Sequence, residues 1–367
     1  MTQYDIYDIM IENLTKEWEL SMINQIPREK WETPKYTKSE INRAGATVAN
    51  PNIFAEERHA ALEVLNNWRS SHAYPLQVIS SNLRKSNHDA IVVQRLKRLE
   101  SIIGKLERFP DMNLYRMQDL GGCRVIVDNI TQVYEALNKY KDSRIRHIWK
   151  REKDYIKDPK SSGYRSYHMV YQFHSDTKET YNTNMLIEIQ FRTKLQHMWA
   201  TAVEMMGIYT KSQLKASIGN KDILRFFVLV SSVFCTMENM PVVPNTSDKL
   251  HELISEIKDI DEKHNIVSRL SALSVAINHV NKNANLKRNG YYVLQLNYSK
   301  KMLKVNSFSK SQVELATNVY NKIEGLNNPD LDVVLVSATS FDALKAAYPN
   351  YFTDISGFVD MMRVVIK

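Results

Sequence analysis

Residues 186–192, Leu-Ile-Glu-Ile-Gln-Phe-Arg, place apolar and polar side chains alternately. A period of two is that of a β-strand, so Ile187, Ile189 and Phe191 belong to one face and Glu188, Gln190 and Arg192 to the other. A carboxylate, an amide and a guanidinium in one row make either a solvent-facing surface or a polar cleft. Met185 and Leu186 on one side, and a predicted helix from about Lys194 on the other, favour an interior strand and hence a cleft.

Other segments take their places around that strand. Residues 90–108 read as an amphipathic helix, with Leu96, Leu99, Ile103 and Leu106 as a core stripe at three- and four-residue spacing. Lys97, Ser101 and Lys105 recur every four residues on another face, with Arg95 nearby. That row suits a chain of phosphate oxygens, although a solvated helix face has the same pattern. Residues 123–127 read as a short buried strand entered through Asp119-Leu-Gly-Gly, where the glycines let backbone approach another group closely. A helix over 134–140, a Lys-, Pro-, Ser- and Gly-rich loop over 154–166 and a strand over 168–173 follow. Helices are predicted over 4–23, 54–68, 195–240 and 248–280, and 281–290 is a polar linker. From residue 290 the pattern changes to ββαβα, a small α+β unit.

The chain of 367 residues carries a formal charge of +8, and its placement is uneven. Residues 84–116 hold eight Lys/Arg against four Asp/Glu, and residues 141–168 hold nine against four. These two stretches exceed the whole net charge, which points to a polyanionic ligand. Residues 290–367 are nearly balanced, with eight basic and seven acidic side chains, so they do not read as a nucleic-acid clamp. Two cysteines make neither a disulfide framework nor a zinc site, and no run of about 18 apolar residues is long enough to span a membrane. The opening MTQYDIYDIMIENL has acids where a secretory signal needs a basic flank, so a reducing cytoplasm is the expected setting.

Four blocks stand in a fixed order: Arg95-x-Lys97 with Ser101 and Lys105, Asp119-Leu-Gly-Gly-Cys-Arg124, Lys153 to His168, and Glu188-Ile-Gln-Phe-Arg-Thr193. Over roughly residues 75–215 this set resembles the RelA/SpoT synthetase domain. The resemblance implies an α+β, nucleotidyltransferase-like mixed sheet flanked by helices, here joined to the small C-terminal ββαβα unit. It divides the chain into an N-terminal helical region (1–74), a catalytic domain (75–240), a helical linker (241–289) and a regulatory domain (290–367). It implies transfer of pyrophosphate from ATP to a ribose hydroxyl. Asp119 and Glu188 are then the catalytic carboxylates and the ligands of Mg2+, which takes one or two carboxylates with phosphate oxygens and water. Arg95, Lys97, Ser101, Lys105 and Arg124 bind ATP, the two arginines sandwiching adenine. Lys153, Lys160, Tyr164 and His168 hold the acceptor, and Gln190 and Arg192 brace the cleft. His88-Asp89 stands without a supporting histidine cluster, so no hydrolase is expected.

The layout of the whole chain, with Tyr348-Pro-Asn-Tyr351 in the tail, also resembles the CapRel-type fused toxin–antitoxin synthetases. That resemblance implies that a tyrosine of the tail, Tyr348 or Tyr351, covers the ATP-base pocket and restrains the enzyme. It further implies release by a phage protein such as the major capsid protein, and the 3′-CCA end of tRNA as acceptor. A small alarmone synthetase acting on a purine nucleotide is the alternative. The aromatics of the tail could equally pack its own core.

Overall fold

A computed structural model of the chain describes residues 31–210, 212, 214, 217–276, 290–297, 302–326, 328, 331–348 and 355–367. The helix expected over 4–23, the linker over 281–289 and Tyr351 lie outside the described residues. Three helices come first: α1 (Lys38–Ala49), α2 (Ala55–Ser71) and α3 (Ala73–Ser86). Thr37 caps α1, its hydroxyl accepting from the Glu40 amide while the Glu40 carboxylate accepts from the Thr37 amide.

Residues 91–96 are not helical. Ile91-Val92-Val93 is an apolar, β-branched run, and it forms β1 (Ile91–Leu96), so that helix α4 (Leu99–Arg108) begins only at Leu99. Pairing on both edges of β1 overrides the helical spacing read from the sequence. The buried stripe shifts accordingly to Leu99, Ile102 and Leu106, with Ile103 only partly covered.

The chain continues through β2 (Gly121–Val127), α5 (Ile130–Lys141), β3 (Ile148–Asp154), β4 (Tyr167–Gln172) and β5 (Leu186–Thr193). Strand β3 has no counterpart in the sequence reading, because it lies at the sheet edge and four of its first residues in a row are exposed. The helix expected over 195–240 is two helices, α6 (Lys194–Tyr209) and α7 (Lys221–Met237), the second capped by the Asn220 side chain. Next come α8 (Leu250–His264) and α9 (Ile266–Ala276), separated by Asn265 in the left-handed conformation at φ 52°. The tail consists of β6 (Gly290–Asn297), β7 (Met302–Ser309), α10 (Val313–Glu324), β8 (Leu331–Ala338), α11 (Phe341–Ala347) and α12 (Ser356–Val365).

All eight strands form one mixed sheet in the order β3-β4-β5-β2-β1-β8-β6-β7. Strands β2 and β5 are parallel and the other neighbours antiparallel. The fold is therefore α+β, a mixed sheet flanked by helices. The tail continues the sheet of the RelA/SpoT-like part rather than building its own, but the joint is short. Only Gln94–Ser337 and Arg95–Val336 pair across β1 and β8, whereas β6 and β8 pair along their whole length.

One core lies between α1–α5 and the sheet, and a second joins α6–α9 to α12 through Phe226, Phe227, Phe234, Phe358 and Met362. In the tail, Tyr292 and Leu294 pack under α11 with Val93 and Ile126, while Tyr291 and Val293 pack under α10 with Tyr320. Strand β6 is thus buried on both faces, the period-two rule applied twice.

Candidate active site

The polar face of β5 does line a cleft. Register sets Gly122 of β2 beside Glu188 and Arg124 beside Gln190, and on the other edge Arg95 of β1 beside Gly122. Gly122 therefore leaves a gap between a guanidinium and a carboxylate; a Cβ there would meet nothing nearer than the Glu188 carbonyl at 3.9 Å. A cavity of 70 Å3 opens above this gap, lined by Arg95, Lys97, Asp119, Arg124, Glu188, Gln190 and Tyr348.

Asp119 sits between two ammonium groups, with Lys97 Nζ 2.8 Å from Oδ2 and Lys105 Nζ 3.0 Å from Oδ1. Burial alone would raise its pKa, but the two cations outweigh it and hold the carboxyl at about 2. Burial pushes Lys97 down, against the pull of Asp119. The phosphate-binding row expected on one helix face is thus rearranged. Lys97 precedes α4, Lys105 lies on it, and both converge on Asp119, while Ser101 is exposed and outside the cavity lining.

Tyr164, His168, Glu188, Gln190 and Arg192 close a ring of hydrogen bonds. Arg192 donates to the Tyr164 hydroxyl at 2.5 Å and to Gln190 Oε1 at 3.0 Å, and Gln190 Nε2 donates to Glu188 Oε2 at 2.7 Å. His168 Nδ1 is 2.9 Å from Glu188 Oε1 and its Nε2 is 2.7 Å from the Tyr164 hydroxyl. A carboxylate only accepts, so Nδ1 carries the proton. Burial opposes ionisation of Glu188, but the His168 and Gln190 hydrogen bonds keep its pKa below the ordinary range. Burial likewise opposes ionisation of Tyr164, yet the charges of Arg192 and His168 bring its phenol down to about 7. Lys160 Nζ stands 5.3 Å over the Tyr164 ring and 4.4 Å over that of Tyr155. Lys153 is exposed on β3, opposite His168 in register.

Several supporting residues carried no signal in the sequence. Tyr155 meets the His168 ring edge-on at 5.4 Å. Arg165 is buried against Glu238 at 2.6 Å. The loop is pinned where Gly163, at φ 85°, accepts from Ser231 Oγ at 2.6 Å; a Cβ there would lie 2.9 Å from Trp199. Each of these partners is distant in sequence, so no local pattern announces it.

Asp119 and Glu188, both held ionised, are the two hard ligands that the cavity offers a divalent cation. Among the described residues no group of three or more His, Cys, Asp and Glu side chains assembles. Two carboxylates facing a cavity fit Mg2+ arriving with a nucleotide, and do not fit a closed zinc site. The Cys123 thiol at the cavity wall is pushed by burial to about 12, so it is no nucleophile.

The tail reaches into the same cavity. Tyr348 is 3% exposed and its hydroxyl donates to the Gln94 carbonyl at 3.3 Å. The last carbonyls of α11 are held by the body: Ala347 accepts from Arg124 at 3.3 Å and Ala346 from His197 Nε2 at 3.0 Å. Burial and the neighbouring Arg192 and Arg95 lower Arg124 to about 10. Nε of Arg124 and of Arg192 have no hydrogen-bond partner among the described residues.

Residues 94–214 match the family model for the region found in RelA / SpoT proteins. The matched region contains every residue of the site described above except Ser231, Glu238 and those of the tail. Over 115 residues, 30% of the chain, it is 37% identical to GTP pyrophosphokinase YjbM of Bacillus subtilis (strain 168), covering 52% of that protein. It is 33% identical over 116 residues to GTP pyrophosphokinase YwaC of the same organism, covering 29% of the chain and 52% of that protein. The chain thus spans about half the length of the curated relatives it matches. A solved GTP pyrophosphokinase family protein from Streptococcus pneumoniae aligns with 51% of this chain and 91% of that one, at 26% identity and a TM-score of 0.38.

Proposed function

We propose that the chain is an ATP-dependent pyrophosphokinase restrained by its own tail. The observation that carries the reaction is the pair of ionised carboxylates, Asp119 and Glu188, lining one cavity with Arg95, Arg124 and Lys97 on the polar face of the sheet. In the reaction the acceptor hydroxyl attacks the β-phosphorus of ATP, the bond from that phosphorus to the α-bridging oxygen breaks, and AMP leaves. Glu188, fixed by His168 and Gln190, receives the hydroxyl proton. Asp119 and Glu188 would hold Mg2+, which supplies charge neutralisation at the phosphates. Lys97 and Lys105 bind the triphosphate, Arg95 and Arg124 line the cavity, and Tyr164, Lys160 and His168 take the acceptor.

Restraint rests on position: Tyr348, 3% exposed, lines the cavity together with Arg95 and Arg124. Tyr348 and the end of α11 occupy the ground that the adenine base needs between Arg95 and Arg124.

The acceptor is read as the 3′ end of tRNA. Exposed Trp149, Lys150, Arg151 and Lys153 of the edge strand β3 put basic and aromatic side chains next to the acceptor loop, which suits a polyanion. The names of the relatives favour a second reading, a GTP or GDP acceptor. The resemblance in layout to the CapRel type carries the reading that a phage protein such as the major capsid protein releases the tail. The test offers γ-labelled ATP and magnesium to the full chain and to Tyr348→Ala, with total tRNA in one tube and GTP, GDP or AMP in another. Label should appear on tRNA, at least about tenfold faster with the variant, and Glu188→Gln should abolish it. Label on a mononucleotide alone would sink the tRNA reading; equal rates with and without Tyr348 would sink the restraint.

A further inference from the structure

A second cleft, of 340 Å3, lies away from the catalytic cavity at the seam between α2 and α10. Its walls include Trp31, Asn66 and Ser70 on one side and Glu314 and Asn318 on the other. Ser70 is only 4% exposed, and its hydroxyl has no hydrogen-bond partner among the described residues. The buried Oδ1 of Asn66 is equally unpartnered. A buried amide oxygen and a buried hydroxyl without partners in the wall of a cleft can accept from a donor that a ligand brings.

Charge names the donor. Three carboxylates, Glu32, Glu63 and Glu314, line the cleft against the single ammonium of Lys35, which Glu32 already holds at 2.7 Å. Glu314 lies at the exposed rim beside Glu63, whose carboxylate is 3.7 Å from His59 Nε2, and Trp31 also lines the cleft. An anionic nucleotide would be repelled. The same seam already takes one guanidinium: Arg69 of α2 donates to Glu324 at 2.6 Å, Asn321 at 2.8 Å and Tyr320 at 3.2 Å, all on α10.

We propose that this cleft binds a guanidinium or alkylammonium group, delivered either by a free polyamine or by an arginine or lysine side chain of another molecule. Because its walls come from α2 and α10 together, a bound cation favours their contact and keeps the tail docked. This last consequence rests on the restraint proposed above; the binding itself does not.

The test is titration calorimetry of the full chain with Nα-acetyl-L-argininamide, spermidine, an acetyl-Gly-Arg-Gly amide peptide and Nα-acetyl-L-citrullinamide, the uncharged isostere of the first. Saturable heat is expected from the cationic probes and none from the citrullinamide. Glu314→Lys, an exposed rim change, should weaken binding about tenfold or more, and Ser70→Ala should weaken it at unchanged thermal stability. The tightest probe separates the sources, spermidine marking a polyamine and the peptide a presented side chain. Heat from no cationic probe, equal heat from the citrullinamide, or unchanged binding by Glu314→Lys would overturn the site. Because heat is read without turnover, a chain that transfers no pyrophosphate would still bind. Binding that leaves the labelled transfer by the full chain unslowed would overturn only the docking effect.

Discussion

At Tyr164 a single hydroxyl meets a guanidinium and an imidazole, and their positive charge is what makes its phenol acidic. An acid whose pKa is lowered on folding, here from 10 to about 7, adds stability as pH rises between those values. The ultraviolet signature of tyrosinate should therefore show a step near pH 7 that Tyr164→Phe lacks. Urea stability of the native chain should also rise from pH 7 to 9 more steeply than that of the variant. An unchanged step would mean that another tyrosine titrates there. The residues of this ring differ in how readable they were. Glu188, Gln190 and Arg192 declare themselves by alternation along one strand, because strand geometry is local. Their closure through Tyr164 and His168 is not local: it depends on a loop held by Ser231, 68 residues past Gly163.

Among the elements, α4 shows where periodicity misleads. A spacing of four joined Lys97 to Ser101 and Lys105, but β-branched residues and two pairing edges drew the first part into the sheet, and the lysines met at Asp119 instead. Helix α4 also lacks a side-chain cap of its own at Arg98. The Leu99 amide donates instead to Glu324 Oε1 of α10 at 2.7 Å, so a carboxylate from the tail stabilises the positive end of the helix that carries Lys105. The other oxygen of Glu324 holds buried Arg69. Glu324→Gln should leave that guanidinium without its countercharge and lower stability by about 3–5 kcal/mol in urea unfolding. A loss of less than about 1 kcal/mol would show that Tyr320 and Asn321 suffice for Arg69.

On the scale of the whole molecule, the ββαβα order of the tail was legible, but its place in the sheet was not, since nothing local specifies which edge a strand joins. Helix α12 crosses back to the helices behind the catalytic strands and buries Phe358, Val359 and Met362 in their core. Removing residues 355–367 should therefore lower the melting temperature by several degrees and expose apolar surface to a reporter dye, whatever happens to turnover. A deletion without effect on melting would show that the second core closes without α12. For the same reason the single change Tyr348→Ala is a cleaner probe of restraint than loss of the whole tail.

The restraint proposed above would have to break more than the short joint between β1 and β8, because α10 also holds Arg69 and α12 sits in the second core. Only two register pairs join β1 to β8, whereas β6 and β8 pair fully, and under the proposed restraint the docked and undocked tail would form a two-state equilibrium. Under that proposal only the undocked fraction would offer the adenine site, and the apparent dissociation constant for ATP would be the intrinsic one divided by that fraction. ATP would then compete with the chain's own tyrosine, and a cell's nucleotide concentration would become part of the silencing. The ratio of ATP affinities between Tyr348→Ala and the native chain reads out, in one number, how rarely the molecule stands open.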